Sequence, residues 1–278
     1  MFHQAKKSMG QNFLKSKEAL FKMCEASKLN DSDIVVEIGP GKGALTEKLL
    51  ERVGQIIAVE KDNDLVEILN EKFSEEIKNK KLILLNEDIL DFDPLPLLRG
   101  GLGRGELRRE ETTQYKIVAN IPYNITGLII RRFLSEVSKP ISMTLLVQKE
   151  VAERIVARDN KESILSLSVK AYGEPKYIMK VHKRFFSPEP KVDSAIIHID
   201  NISNKYFKND EEDTFFQLIK AGFAHKRKVL RKNLEELGLK LEKIDEIFKK
   251  LGINEKSRAE DIKLDKWTEM SKHFSVKN

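Results

Sequence analysis

Asp33-Ile34-Val35-Val36-Glu37-Ile38-Gly39-Pro40-Gly41-Lys42-Gly43 decides how this chain is read. Its first half is an apolar run of strand length. The residues after it, Ala44-Leu45-Thr46-Glu47-Lys48-Leu49-Leu50, carry apolar side chains at helical spacing. Strand, glycine loop and helix in succession open an α/β fold. Glycines in such a loop take φ > 0 and let the backbone approach a ligand closely. Two phosphate-binding readings fail. Lys42-Gly43 is followed by Ala44, so the G-x-x-x-x-G-K-[ST] pattern is broken. The G-x-G-x-G spacing also lacks the third glycine of a G-x-G-x-x-G dinucleotide loop.

Gly-x-Gly-x-Gly after a strand resembles the S-adenosylmethionine loop of Rossmann-like methyltransferases, although a plain tight turn shares the pattern. The next strands add weight. Gln55-Ile56-Ile57-Ala58-Val59 ends in Glu60, a carboxylate about 20 residues beyond the glycines and suited to ribose hydroxyls. Lys81-Leu82-Ile83-Leu84-Leu85 leads into Asn86-Glu87-Asp88-Ile89. There Asp88 suits an adenine amino group and Ile89 the face of the ring. A lone acid after a strand is usually a cap or a solvated turn. Three successive strands ending in the right residue types are a different matter, because ligands of open α/β sheets bind at the strands' carboxyl ends.

Tyr115-Lys116-Ile117-Val118-Ala119 predicts another buried strand, and Asn120-Ile121-Pro122-Tyr123 closes it. An amide oxygen on Asn120 and a backbone carbonyl held by the Pro122 kink suit the two N–H groups of a flat exocyclic amine. The Tyr123 ring suits the face of a splayed-out base. A strand ending in a proline turn with a half-buried tyrosine is the plain alternative.

Taken together these segments resemble the KsgA-type small-subunit rRNA adenine N6,N6-dimethyltransferases, to which the Erm methylases are related. The resemblance rests on Gln11-Asn12-Phe13-Leu14, Glu37–Gly41, Glu60, Asp88 and Asn120–Ile125. It continues through Gln148–Arg154, Phe186-Ser187-Pro188-Glu189-Pro190-Lys191-Val192-Asp193-Ser194-Ala195 and Phe223-Ala224-His225-Lys226-Arg227-Lys228-Val229-Leu230. It implies a Rossmann-like S-adenosylmethionine-dependent methyltransferase sheet with a small C-terminal helical domain. By the resemblance, Gln11, Asn12 and Leu14 close over the cofactor, and Gly39 and Gly41 meet it through the loop backbone. Glu60 holds its ribose, Asp88 and Ile89 its adenine, and Asn120 lies between cofactor and substrate. Phe186 is expected as the second aromatic wall of the base pocket, opposite Tyr123, with Pro122 shaping the turn. The implied product is S-adenosylhomocysteine, and no metal is required.

The expected partner is ribosomal RNA, within an assembling small subunit. Lys226, Arg227 and Lys228, with Arg231 near them, form the strongest cationic cluster and are read as a helix face that contacts phosphates. A solvated helix face is the plain reading of such a run. Lys149 and Arg154 suggest a second basic strip. Two other classes stay open: a catalytically weak assembly factor, and a DNA adenine methyltransferase, which usually carries Pro-Pro before the aromatic. Within the enzyme class the competitor is an Erm-type large-subunit methylase.

Composition bounds these readings. The chain has 278 residues, 40% of them hydrophobic, enough for one large domain and a small one. Its formal net charge of +6 favours a polyanionic partner. Cys24 is the single cysteine, which rules out an intramolecular disulfide or a thiolate zinc cluster and fits a reducing cytoplasm. His198 alternates within an apolar run and reads as structural. No stretch approaches the roughly 18 apolar residues of a membrane span. The expected state is a cytoplasmic monomer.

Residues 1–200 are expected to form the catalytic domain, with an N-terminal helix as a lid. Residues 201–278 are expected to form a helical RNA-binding domain with turns at Gly238 and Gly252. The segment 94–113 is rich in Gly and Arg and is longer than the family's usual connection. It reads as a surface insertion, with an RNA contact as the alternative.

Overall fold

The structure, a computed structural model, describes residues 5–6, 9–100, 114–207 and 211–274. Of the expected insertion it describes the short helix Leu95–Gly100. Arg104, Arg108 and Arg109 lie outside the described residues. The chain divides into two compact units, Met1–Ala152 with Lys176–Ile202, and Glu153–Pro175 with Ser203–Asn278.

The first unit is built on two sheets. Strands β1 (Phe13–Leu14) and β8 (Phe186–Ser187) pair antiparallel, Leu14 opposite Phe186. The main sheet holds β2 (Ile34–Ile38), β3 (Gln55–Glu60), β4 (Leu82–Asn86), β5 (Lys116–Asn120), β6 (Ser142–Gln148), β7 (Glu174–Val181) and β9 (Ser194–Asp200). Their order is β4-β3-β2-β5-β6-β9-β7. β2 to β6 run parallel, and β9 joins antiparallel to β6. Parallel strands covered on both faces read as continuous apolar runs. Val35, Val36, Ile56, Ile57, Ile117 and Val118 are accordingly all buried. This is the expected α/β class.

The register aligns the carboxyl ends of the parallel strands, with Ile38 beside Val59 and Glu60 beside Asn86. At that edge Gly39, Gly41 and Gly43 have φ of 63°, 62° and 78°. A Cβ on Gly43 would lie 2.5 Å from the Phe73 ring. The loop is therefore held tight against the helix that follows β3. The helix Lys17–Ala26, capped by the Ser16 hydroxyl, buries Ala19, Leu20, Met23 and Cys24. It packs on β6 and β9, and its Leu20 also lines the cavity at the carboxyl ends of the parallel strands. Its alternation of buried and exposed positions was legible, but not which surface it would cover. His198 is buried, its Nδ1 bonded to the Thr144 hydroxyl at 2.9 Å, which fits the structural reading.

The second unit is helical. The helices Glu211–Gly222, Leu230–Glu235, Leu241–Leu251 and Leu264–His273 enclose Phe215, Leu218, Leu230, Ile244, Phe248 and Trp267. Gly238 and Gly252 take left-handed conformations at the turns, as the sequence suggested. The segment 153–175 was expected with the catalytic part, and here the structure differs. Tyr172 stacks on Phe216, and the buried Glu162 carboxylate accepts from Lys170 and the Ser166 hydroxyl. The Glu162 amide donates to the Glu260 carbonyl at 2.7 Å. The helix Ile164–Lys170 continues the strand–helix alternation in sequence, which conceals this change of partner. No helix among the described residues is long and apolar enough to cross a membrane.

Candidate active site

A cavity of about 710 Å3 opens at the carboxyl ends of β2, β3, β4 and β5. Its lining includes Asn12, Gly39, Glu60, Asp88, Asn120 and Tyr123. The sequence pattern thus converges in space.

Glu60 sits at the last position of β3 and is buried. One carboxylate oxygen accepts the Gly41 amide at 3.1 Å and the other the Asp62 amide at 3.0 Å. Hydrogen bonds to a charged acceptor are worth about 1.5–3 kcal/mol each. Removing a carboxylate from water costs several kcal/mol. Burial wins here: the Glu60 carboxyl lies above its usual range despite both amides.

Glu37 is more extreme. It is 1% exposed, one oxygen has no hydrogen-bond partner, and it lines the same cavity. Burial pushes its carboxyl up to about 8, with Glu60 adding repulsion and the Thr46 hydroxyl opposing. An unpaired acid at the end of a buried strand is costly unless a cation or donor completes it. In the sequence Glu37 carries the family resemblance without an assigned role. An acid inside a wholly apolar run was the available signal.

Gly39 is open on the side where a Cβ would stand, with no atom within 4 Å, although its φ is 63°. In the same cavity the Asp88 carboxylate receives Lys61 at 2.7 Å and the Leu90 amide at 3.0 Å. The Lys61 ammonium holds it below its ordinary value. Arg132, from the helix Thr126–Ser135, donates to the Ile89 and Phe92 carbonyls, each at 2.5 Å. It pins the turn that carries Asp88 and Ile89. Nothing in the sequence singled out Arg132.

Asn120 ends β5, and its side-chain nitrogen donates to the Asn12 carbonyl at 3.1 Å. That bond fixes the amide's orientation and leaves its oxygen as the acceptor. Pro122 has φ of −58° and ψ of 133°. Its own carbonyl receives the Ile125 amide and the Thr126 hydroxyl, both at 3.3 Å. The Tyr123 hydroxyl is bonded to the Ser194 hydroxyl at 2.6 Å, and burial raises its pKa. Ser194, a member of the Phe186–Ala195 motif with no role expected of it, orients the tyrosine.

Several expected residues are placed otherwise. Phe186 is 2% exposed, lies in the core cluster with Leu14 and Leu20, and does not line the cavity. It pairs with Leu14, which does line the cavity, so its expected place opposite Tyr123 stays a proposal. Gln11 lines the cavity, but its amide nitrogen donates to Asp62 at 2.7 Å. Arg231 is committed to Asp245 through a two-pronged ion pair. Lys226, Arg227 and Lys228 lie on the turn before the helix Leu230–Glu235 rather than on a helix, because the helix Glu211–Gly222 has already ended. All three are exposed, and Lys228 pairs with Glu236. Lys149 begins the helix Lys149–Val156 in the first unit, and the exposed Arg154 belongs to the second. Among the described residues no group of three or more His, Cys, Asp or Glu side chains is placed to hold a metal.

Known proteins match this chain over nearly its whole length. A family model described as ribosomal RNA adenine dimethylase matches residues 2–275. A Fusobacterium nucleatum protein named ribosomal RNA small subunit methyltransferase A is 43% identical over 272 residues, 97% of each chain. A Dehalococcoides mccartyi protein of the same name is 39% identical over 273 residues, 98% of this chain and 89% of that one. Among solved structures, a dimethyladenosine transferase from Plasmodium falciparum superposes with a TM-score of 0.76 at 24% identity. That match covers 94% of this chain and 98% of the other. The 23S rRNA methyltransferase ErmE gives 0.74 at 22% identity, covering 94% and 99%. These two likenesses speak for the fold alone. The family model and the sequence relatives carry the assignment: this chain belongs to the ribosomal RNA adenine dimethylase family.

Proposed function

We propose that the chain transfers methyl groups from S-adenosylmethionine to the N6 amine of adenosines in small-subunit ribosomal RNA, giving N6,N6-dimethyladenosine. The observation that carries this reading is Asn120. Its amide is locked by the Asn12 carbonyl with the oxygen as acceptor, in the cavity that Glu37, Glu60 and Asp88 also line. Family membership supports the substrate class, and relatives named for the small subunit favour it over the large-subunit alternative.

The residues fit the cofactor. Glu60 would accept from the ribose hydroxyls, and Asp88 from the adenine amine, with Ile89 against the ring. Gly39 and Gly41 would approach it through the backbone. The unpartnered Glu37 oxygen would face the cofactor's positive charge. Bound S-adenosylmethionine supplies an electrophilic methyl group. The chain's own residues prepare the amine. An exocyclic adenine nitrogen is a poor nucleophile because its lone pair is delocalised into the ring. Acceptance of its two protons by the Asn120 oxygen and the Ile121 carbonyl favours a pyramidal nitrogen with its lone pair free. Pro122's carbonyl is already occupied, which leaves Ile121's for this task. Tyr123, held by Ser194, would stack on the base. The nitrogen loses its own proton after attack, so a strong general base is unnecessary. Positioning contributes the remainder.

RNA phosphates would meet the second unit at Lys226 and Arg227. Lys228 would join them on releasing Glu236, whereas Arg231 stays with Asp245.

Replacing Asn120 with Ala should lower the single-turnover methylation rate by at least about 10²-fold with RNA affinity nearly unchanged, as for a group acting in the transition state. Quench-flow sampling checks the rate and filter binding the affinity. A wild-type rate would remove Asn120 from the chemistry.

The raised Glu37 pKa has a definite sign. The folded protein keeps the proton that the unfolded chain releases, so this group's stabilisation is present below the ordinary 4.5 and is lost as pH rises to about 8. A cationic ligand beside it favours the ionised form. Cofactor binding at pH 7 should therefore release protons. Calorimetry in buffers of different ionisation enthalpy reads this release, and Glu37→Gln should abolish it. Equal release in that variant would place the proton elsewhere.

Substituting both Lys226 and Arg227 with Ala should reduce the slope of log K against log salt by about 0.7–0.9 per lost phosphate contact. RNA titrations from low to high salt test this, and an unchanged slope would move the RNA surface away from this turn.

A further inference from the structure

Asp62 lies two residues beyond Glu60, outside the motifs that carry the family resemblance. It is 1% exposed, and its backbone amide donates to Glu60 at 3.0 Å. Its two side-chain oxygens point away from Glu60, toward the N-terminal segment. One accepts the Lys6 ammonium at 2.5 Å and the other the Gln11 amide at 2.7 Å. The Gln11 side-chain oxygen in turn receives the Lys6 backbone amide at 2.8 Å. A buried carboxylate with charge-assisted bonds to two side chains is a strong anchor.

What it anchors is the stretch Met9–Lys15, which lines one side of the cavity. That stretch has two other fixed points. The Asn12 carbonyl accepts from Asn120, and Leu14 pairs with Phe186 across the small sheet. The three attachments do different work. The Asn12–Asn120 bond sets the amide that handles the substrate amine, and the strand pairing holds the far end. The Asp62 anchor ties the near end of the stretch to the head of the helix that follows β3, where the Asp64 carboxylate also receives the Lys6 ammonium at 2.8 Å.

We infer that Asp62 is a positioning residue that clamps the N-terminal stretch over the cofactor through Gln11 and Lys6, and so sets how tightly the cofactor is held and not how fast the methyl is transferred. The inference rests on the proposed cofactor site. Asp62 touches no reacting atom. With the near anchor cut, the stretch remains fastened at Asn12 and Leu14, so the catalytic amide stays oriented while the cavity wall loosens.

The test uses the full-length protein with S-adenosylmethionine and ribosomal RNA. Gln11→Ala removes one arm of the clamp without touching the helix cap that Asp62 supplies through the Asp64 amide. Asp62→Asn keeps that cap and removes the charge. Both should raise the KM for S-adenosylmethionine by about tenfold, with kcat at saturating cofactor within about twofold. Both should also speed amide hydrogen exchange at residues 9–12 in the presence of cofactor. Thermal melts of the free proteins control for folding. A loss of kcat with unchanged KM, or unchanged KM and exchange in a folded variant, would overturn the clamp. Failure of the wild-type protein to bind S-adenosylmethionine would instead sink the cofactor site, and the clamp with it.

Discussion

The site depends on one buried carboxylate. Glu60 ends β3, yet its oxygens reach the Gly41 amide of the preceding loop and the Asp62 amide at the head of the following helix. Three separate pieces of chain, strand, glycine loop and helix cap, are thereby fixed to each other at the point where a ribose would lie. Parallel pairing brings the strand ends level, but backbone pairing stops there. Beyond the strand ends, side chains must supply the order, and a charged acceptor does so most strongly. The arrangement keeps Glu60 and Glu37 in one apolar crevice, and each carboxyl is pushed toward its neutral form by burial. A cation or a set of hydroxyl donors relieves that cost. An acid-lined crevice of this kind is prepared for a positively charged cofactor that also carries sugar hydroxyls.

The cofactor end and the substrate end are joined by few bonds. Arg132 belongs to the helix just after the Asn120–Tyr123 turn, and it holds the carbonyls of the turn that carries Asp88. Asn120 itself is bonded to the N-terminal stretch. Both ends of the reaction are thus referred to the same short helix and the same strand end. Such coupling lets the site gain rate from geometry, since alignment of two reactants is worth several orders of magnitude.

Much of this was legible in the sequence, for a physical reason. Buried parallel strands leave uninterrupted apolar runs, and glycines at positive φ leave a fixed spacing. β2 to β5 and the loop at Gly39–Gly43 could therefore be read directly. The residues that escaped act through contacts distant in sequence. Arg132 and Asp62 look like ordinary helix and turn charges until the fold brings them to backbone carbonyls and to Gln11. Phe186 is not legible in this way, because an aromatic before a proline turn looks the same whether its ring faces a pocket or a core. The cations at 226–228 were read as a helix face because the sequence does not mark the helix end at Gly222. That glycine looks like an interior residue, although a Cβ there would lie 2.4 Å from Trp267.

The central claim is that this site places a methyl group on the N6 atom of ribosomal adenosines. The most direct measurement is mass spectrometry of nucleosides from small-subunit ribosomal RNA treated with the purified protein and methyl-labelled S-adenosylmethionine. N6,N6-dimethyladenosine carrying two labelled methyl groups is the predicted product. Label on another atom of the base, or none while the cofactor is bound, would contradict the account.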